Sequence, residues 1–175
     1  MDQTPYFAKL RHAIVAKGGL FNAHLHLDRA GTLDVSPVDP GDDFSGLSLS
    51  SKHGLIPAIH ASAEYEPRRL RTRVEFYLNQ IVLAGTRQAE TLVDVTADRV
   101  GLSALETFLE LKAKYAEDLD LRIGAYSPLG FKASEPARWE LLVAGAKLAD
   151  FVGSLPERTT MWSTRIISVS MSTAC

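Results

Sequence analysis

Two histidines separated by a single residue stand near the beginning of the chain, where residues 22–28 read Asn-Ala-His-Leu-His-Leu-Asp. The apolar residues Leu20 and Phe21 lead into this segment, which predicts that the histidines lie on a buried strand. Side chains two positions apart on a strand project to the same side of the sheet. Two imidazoles that converge from one strand are half of a metal site. We therefore predict that His24 and His26 are metal ligands.

Two aspartates are candidates for the same site. Asp28 could orient a histidine as its hydrogen-bond partner, or it could cap the loop that follows the strand. Asp94 ends a predicted strand, where a role in the site and an ordinary role in a turn both stay open. His53 and His60 fall in a predicted loop and are interpreted as surface or packing residues rather than ligands.

Strands and helices alternate along the chain. The predicted strands are 20–27, 91–96, 121–126 and 149–155, and the predicted helices are 4–17, 63–84, 101–116 and 135–148. Residues 29–61 are predicted to be a long irregular stretch. This alternation implies right-handed βαβ units and a parallel sheet. No Gly-x-Gly-x-x-Gly motif follows a strand, which disfavours a dinucleotide-binding fold and favours a TIM barrel, whose active site lies at the carboxyl ends of the strands. The residues at these predicted strand ends are His24, His26, Asp28, Asp94, Asp98, Ser127, Gly130, Ser154 and Glu157.

Composition excludes several classes of protein. The 175 residues carry a net charge of −2 with 46% hydrophobic and 23% charged residues, typical of one globular domain. The charge balance does not favour nucleic acid as a partner, and no apolar run approaches the ~20 residues that span a bilayer. The acidic start is unlike a signal peptide, and the single cysteine, Cys175, allows no internal disulfide, so we expect a cytoplasmic protein. The arginines between positions 68 and 73 are interpreted as a solvated helix face paired with glutamates.

The motif His24-x-His26-Leu-Asp28 resembles the opening metal-binding signature of the amidohydrolase superfamily, within it the cytosine deaminase-like branch. The similarity continues in order through residues 93–96, 102–112, 120–125 and 149–153, and covers roughly residues 18–157. It implies part of a (β/α)8 barrel, about the first four βα units. It also implies a zinc or iron cofactor and metal-dependent hydrolysis of a C–N bond in a cyclic amide or amidine, with a small molecule as substrate.

The chain departs from this family in three places. Members have eight βα units, and their later strands supply two further histidines and an aspartate, whereas all five histidines here lie at or before His60. We therefore expect an incomplete, inactive chain that holds metal weakly if at all. Cytosine deaminases carry Gln-Glu-Gly after the third strand, where this chain has Pro128-Leu129-Gly130, which argues against cytosine as substrate. Finally, composition changes abruptly after Arg158. We interpret residues 1–158 as the barrel domain and residues 159–175 as an atypical tail that a shifted reading frame would explain.

Two other functions fit the same residues. Half a barrel exposes two strand edges and the inner face of its sheet, and such edges invite pairing with another chain. The chain could therefore be a non-catalytic fragment that forms a homo-oligomer. It could also be a small binding module that uses the histidine pair as a metal or anion site.

Overall fold

The computed structural model describes residues 4–35, 44–132 and 134–155. Its elements are α1 (Pro5–Ala16), β1 (Leu20–Leu25), α2 (Leu49–Gly54), α3 (Ile56–Ala61), α4 (Pro67–Leu83), β2 (Thr86–Asp94), α5 (Ser103–Tyr115), β3 (Asp120–Ser127), α6 (Pro136–Ala146) and β4 (Phe151–Ser154). Short 3₁₀ turns cover Leu33–Val35, Phe44–Gly46 and Ala63–Tyr65. The predicted tail, residues 159–175, lies outside the described ranges. Within those ranges no helix is long and apolar enough to cross a membrane.

The four strands form one sheet in the order β1-β2-β3-β4, and every neighbouring pair is parallel. Sequential parallel strands joined by helices are the arrangement of successive βα units in a TIM barrel. The predicted fold class, an α/β partial barrel of about four βα units, is therefore confirmed. In the part of the chain that the structure describes, the sheet is open and has β1 and β4 at its edges. Self-association through these edges stays a prediction.

The hydrophobic core lies between the sheet and the helices α4 and α5. Helix α4 buries Leu70, Val74 and Leu78, which are spaced four residues apart and therefore share one face. Helix α5 buries a similar face that includes Phe108, whose side chain has 0% exposure. These faces cover the outward side chains of β2 and β3, and the strands are held in place by this packing.

Strand β2 begins five residues earlier than predicted, at Thr86 instead of residue 91. Gly85, at a φ of +99°, ends the connection from α4, a conformation that glycine adopts without strain. The first half of β2 was missed because it is rich in polar residues. Gln88 and Glu90 lie on the side of the strand opposite the buried Ala89, and there Glu90 pairs with Arg122 of β3 at 2.6 Å.

The predicted irregular stretch of residues 29–61 is wrong in its second half, because it contains α2 and α3. The Ser48 side chain accepts a hydrogen bond from the backbone N–H of Ser51 at 3.1 Å and caps α2. Ile56 and Ile59 of α3 are buried. Each helix has only six residues, which is too short to give a clear period in the sequence.

The ring of Phe151 on β4 packs directly against Gly124 of β3, where an added Cβ would lie within 2.8 Å of three ring atoms. We expect Gly124→Ala to lower the free energy of unfolding by about 1–3 kcal/mol, since the ring must move. Urea denaturation measures this difference. The control is Gly54→Ala, where no other atom lies within 4 Å of the added Cβ. Equal stability of the two variants would contradict the close packing of β4 on β3.

Candidate metal centre

The two predicted histidines lie side by side at the carboxyl end of β1. Their rings are in edge-to-face contact, with centroids 5.1 Å apart. His24 is exposed, whereas His26, the first residue after β1, is partly buried. The spacing of the motif thus brings the two imidazoles together at this end of the strand. Their role as metal ligands stays a prediction.

His26 forms a cluster with the two predicted aspartates, Asp28 and Asp94. One possible ligand atom from each of the three residues lies within 4.8 Å of the others. Both carboxylates are completely buried. Among the described residues, neither Asp28 Oδ1 nor Asp94 Oδ1 has a hydrogen-bond partner. An imidazole nitrogen and two unpartnered carboxylate oxygens are a suitable donor set for a divalent cation such as Zn²⁺, so these residues fit the group that the motif implies.

Asp28 connects the ends of β1 and β2. Its Oδ2 accepts hydrogen bonds from the Tyr65 hydroxyl at 3.0 Å and from the backbone N–H of Asp94 at 2.9 Å. These two hydrogen bonds join the Asp28 carboxylate to a tyrosine and to the neighbouring strand. Neither partner belongs to the roles predicted for Asp28, which were to orient a histidine or to cap the loop after the strand. Burial raises the pKa of the Asp28 carboxyl, and the negative charge of Asp94 raises it further.

His60 is the residue that the sequence interpretation missed. It lies on α3 with 1% exposure, and its Nδ1 and Nε2 lie 2.7 Å from Asp98 Oδ2 and 3.1 Å from Asp94 Oδ2. A carboxylate only accepts hydrogen bonds, so both nitrogens donate and the ring is a cation. Burial by itself would lower the pKa of His60, but the bonds to Asp94 and Asp98 outweigh it and raise that pKa to about 9. One sequence feature could have predicted this burial. His60 directly follows Ile59 and lies four residues after Ile56, so the three residues share the buried face of a short helix.

His26 has the opposite electrostatic environment. Burial lowers the pKa of His26 to about 4, and the positive charge of Arg29 contributes to the shift. The ring is therefore neutral at pH 7. Arg29 Nη2 lies 2.5 Å from His26 Nδ1, and its Nε lies 3.4 Å from Asp94 Oδ2. Arg29 and His60 thus place positive charge against the buried carboxylates. The sequence interpretation had not singled out Arg29 and had taken His60 for a surface or packing residue.

An open cleft of about 500 Å³ lies beside this cluster. Its walls come from the end of β1, from α2 and α3, and from Tyr126 of β3, and they include His26, Arg29, Lys52 and His53. The prediction that His53 and His60 lie in a loop is wrong, because they belong to α2 and α3, and both are buried. The cleft has the size of a small-molecule pocket, for which volumes of roughly 300–1,000 Å³ are usual.

Arg73 of α4 fixes the turn that carries Asp28. Its guanidinium donates to the carbonyl oxygens of Asp28 at 2.9 Å and Glu64 at 3.1 Å, and also to that of Ala30. The interpretation of residues 68–73 as a solvated face is therefore incorrect for Arg73, which is only 10% exposed. It is correct for Arg69, which is 61% exposed and pairs with Glu64 at 3.0 Å.

The chain is similar in fold and sequence to proteins of known structure. No family model matches the chain. An uncharacterized protein of Haemophilus influenzae is 25% identical over 154 residues, which are 85% of this chain and 51% of that protein. Two crystal structures of 5-methylcytosine deaminase from Klebsiella pneumoniae, liganded with phosphonocytosine and with 5-fluorocytosine, superpose with TM-scores of 0.66 and 0.67 at 28% identity. The likeness supports the amidohydrolase superfamily. The superposed region covers 80% and 81% of this chain and 32% of each deaminase chain.

The chain therefore spans about half the length of the Haemophilus influenzae relative and about a third of the deaminase chains. The parallel strands of this chain carry the His26, Asp28 and Asp94 cluster at their carboxyl ends. In a barrel of this superfamily the site lies at that end of the strands. The strand ends and the cleft described above thus coincide with the place where the fold puts its chemistry.

Proposed function

We propose that the four βα units belong to a metal-dependent hydrolase that acts on a C–N bond of a cyclic amidine or amide. The observation that carries this proposal is the clustering of ligand atoms from His26, Asp28 and Asp94 within 4.8 Å at the carboxyl ends of the strands. His24, whose ring touches that of His26, is the fourth proposed ligand. The metal is zinc or iron in this proposal, because imidazole and carboxylate ligands suit both.

The residues of the chain have separate tasks in this proposal. The chemistry that a bound divalent cation supplies is Lewis-acid activation of water and of the substrate. His24, His26, Asp28 and Asp94 would hold the cation. Tyr65 and His60 keep the carboxylates of Asp28 and Asp94 in place through their hydrogen bonds. Tyr126 forms one wall of the cleft against which a planar ring can stack.

The substrate is a small cyclic molecule in this proposal. The likeness to a 5-methylcytosine deaminase supports deamination of a ring amidine as the reaction. Residues 128–130 read Pro-Leu-Gly where cytosine deaminases carry Gln-Glu-Gly, which favours a ring other than cytosine itself. The two further histidine ligands that the resemblance implies are not among the five histidines of the sequence, so weak metal binding is part of the proposal.

Metal titration of the full chain tests the proposed site. We expect Co²⁺ to bind the metal-free protein in calorimetry, and His26→Asn to weaken that binding by at least about tenfold, since it removes a ligand. The unfolding midpoint of His26→Asn should stay close to that of the unmodified chain, because the replaced ring is neutral and only partly buried. His12→Asn on α1 is the control, because His12 is exposed there. Equal affinities of the two variants would place the metal elsewhere.

Product formation from two substrate panels then tests the reaction: release of ammonia from cyclic amidines, and ring opening to a carboxylate from cyclic amides. Product that appears only in the presence of added Zn²⁺ or Fe²⁺, and that is lost in His26→Asn, supports the hydrolase. A protein that binds the metal and forms no product from any member of either panel contradicts it.

A further inference from the structure

The guanidinium of Arg29 lies against the residues proposed to bind the metal. Its Nη2 is 2.5 Å from His26 Nδ1 and its Nε is 3.4 Å from Asp94 Oδ2, so it contacts two members of the three-residue cluster. Its Cζ lies 5.7 Å from the centre of the Tyr126 ring, within cation–π distance. Only 18% of the side chain is exposed. The Arg29 guanidinium therefore already places a positive charge beside the cluster.

The hydrogen bond between Arg29 and His26 decides which lone pairs a metal can use. A guanidinium only donates, so His26 Nδ1 is the acceptor. A neutral imidazole that accepts at Nδ1 carries its proton at Nε2. Neither ring nitrogen then offers a free lone pair, although a metal ligand needs one. Metal binding at His26 thus requires that this hydrogen bond be broken.

We propose that the Arg29 guanidinium and a divalent cation are alternative occupants of the cluster, so that Arg29 must withdraw before His26 and Asp94 can bind metal. The cleft of about 500 Å³ borders Arg29 directly and has room for the displaced side chain. In the metal-free protein the guanidinium adds to the charge that His60 already places against the buried carboxylate of Asp94, and so lowers its desolvation cost further.

This competition makes the site selective. Only a cation that binds imidazole and carboxylate strongly can replace a charged, hydrogen-bonded guanidinium, which favours Zn²⁺ and Co²⁺ over Mg²⁺ and Ca²⁺. Arg29 is a specificity-determining residue in this arrangement. The inference rests on the proposed function only for the location of the metal, because it concerns affinity and does not need turnover.

The test is a comparison of metal affinities of the full chain at pH 7, measured by competition with a chromophoric chelator. We expect Arg29→Met to bind Co²⁺ at least about tenfold more tightly than the unmodified chain, since a unit positive charge beside the site is removed. Arg29→Lys, which keeps the charge, should fall between the two. Arg138→Met is the control, because Arg138 has a similar exposure, 27%, and its ion pair is with Glu135 and not with a member of the cluster. Equal or weaker binding by Arg29→Met overturns the inference, and so does the absence of binding in all four proteins.

A second measurement needs no variant and covers the case in which Arg29→Met does not fold. Phenylglyoxal modifies accessible arginines, and mass spectrometry of the digested protein locates each modified residue. We expect added Zn²⁺ to increase the modification of Arg29 several-fold and to leave that of Arg138 unchanged, whereas Mg²⁺ should change neither. Unchanged modification of Arg29 at millimolar Zn²⁺ contradicts the displacement. Failure of the proposed hydrolase would appear separately, as metal binding without product from any cyclic amidine or amide.

Discussion

Replacing His60 with alanine is expected to lower the free energy of unfolding by about 3 kcal/mol or more, as removal of one partner from a buried ion pair usually does. The imidazolium lies between Asp94 and Asp98, and the Asp94 carboxylate has 0% exposure. Without His60, Asp94 keeps the ion pair with Arg29, whose Nε lies 3.4 Å from Asp94 Oδ2. A buried charge that loses its best partner destabilises the folded state directly.

Urea denaturation of His60→Ala at pH 7 measures this loss, with His12→Ala as the matched control. His12 lies on α1 and is exposed, so its replacement should change stability by less than about 0.5 kcal/mol. His60→Gln should recover part of the loss, because its amide can still donate to one carboxylate. A loss below about 1 kcal/mol for His60→Ala would show that the ion pair contributes little net energy, as some buried pairs do.

Replacing Phe108 with alanine should have an effect of similar size for a different reason. Phe108 is the largest completely buried side chain among the residues that the structure describes, and it lies on the face of α5 that covers the sheet. Truncation removes its buried surface and leaves a cavity, for which losses of about 3–5 kcal/mol are usual. We expect this loss in the free energy of unfolding, measured in urea.

Phe76 of α4 provides the control for Phe108, because the same residue type is 57% exposed there. Phe76→Ala should cost less than about 1 kcal/mol, since it leaves no cavity and loses only a ring contact with Tyr77 at 5.3 Å. If both variants lost the same stability, the core would not lie between α5 and the sheet. The strand ends that carry Asp94 depend on that packing, so Phe108→Ala should also weaken metal binding.

The alternation of strands and helices was predictable because the apolar residues of each long element recur with the period of a helix or of a strand. Leu70, Val74 and Leu78 recur at helical spacing, and the apolar residues of β3 alternate with polar ones. The start of β2 was not predictable, because four of its first five residues are polar and show no alternation of apolar and polar side chains. The helices α2 and α3 were missed for a related reason, since six residues cannot show a period.

The sequence by itself determined the superfamily motif and the side on which its histidines lie. This is a local property: side chains two apart on a strand point the same way, whatever the rest of the chain does. It also indicated that Asp28 and Asp94 follow strands at the same edge. These features need only the spacing of residues and the rule that parallel strands end together.

Only the tertiary structure decided which charges oppose the buried carboxylates. His60 reaches Asp94 across 34 residues of sequence, and Arg29 reaches the same carboxylate across the turn after β1. Neither contact follows from a periodic pattern or a motif in the sequence, because each depends on where a short helix or a turn packs against the sheet. The energy of a buried charge depends on its neighbours within a few ångströms, and those neighbours are set by packing rather than by order along the chain.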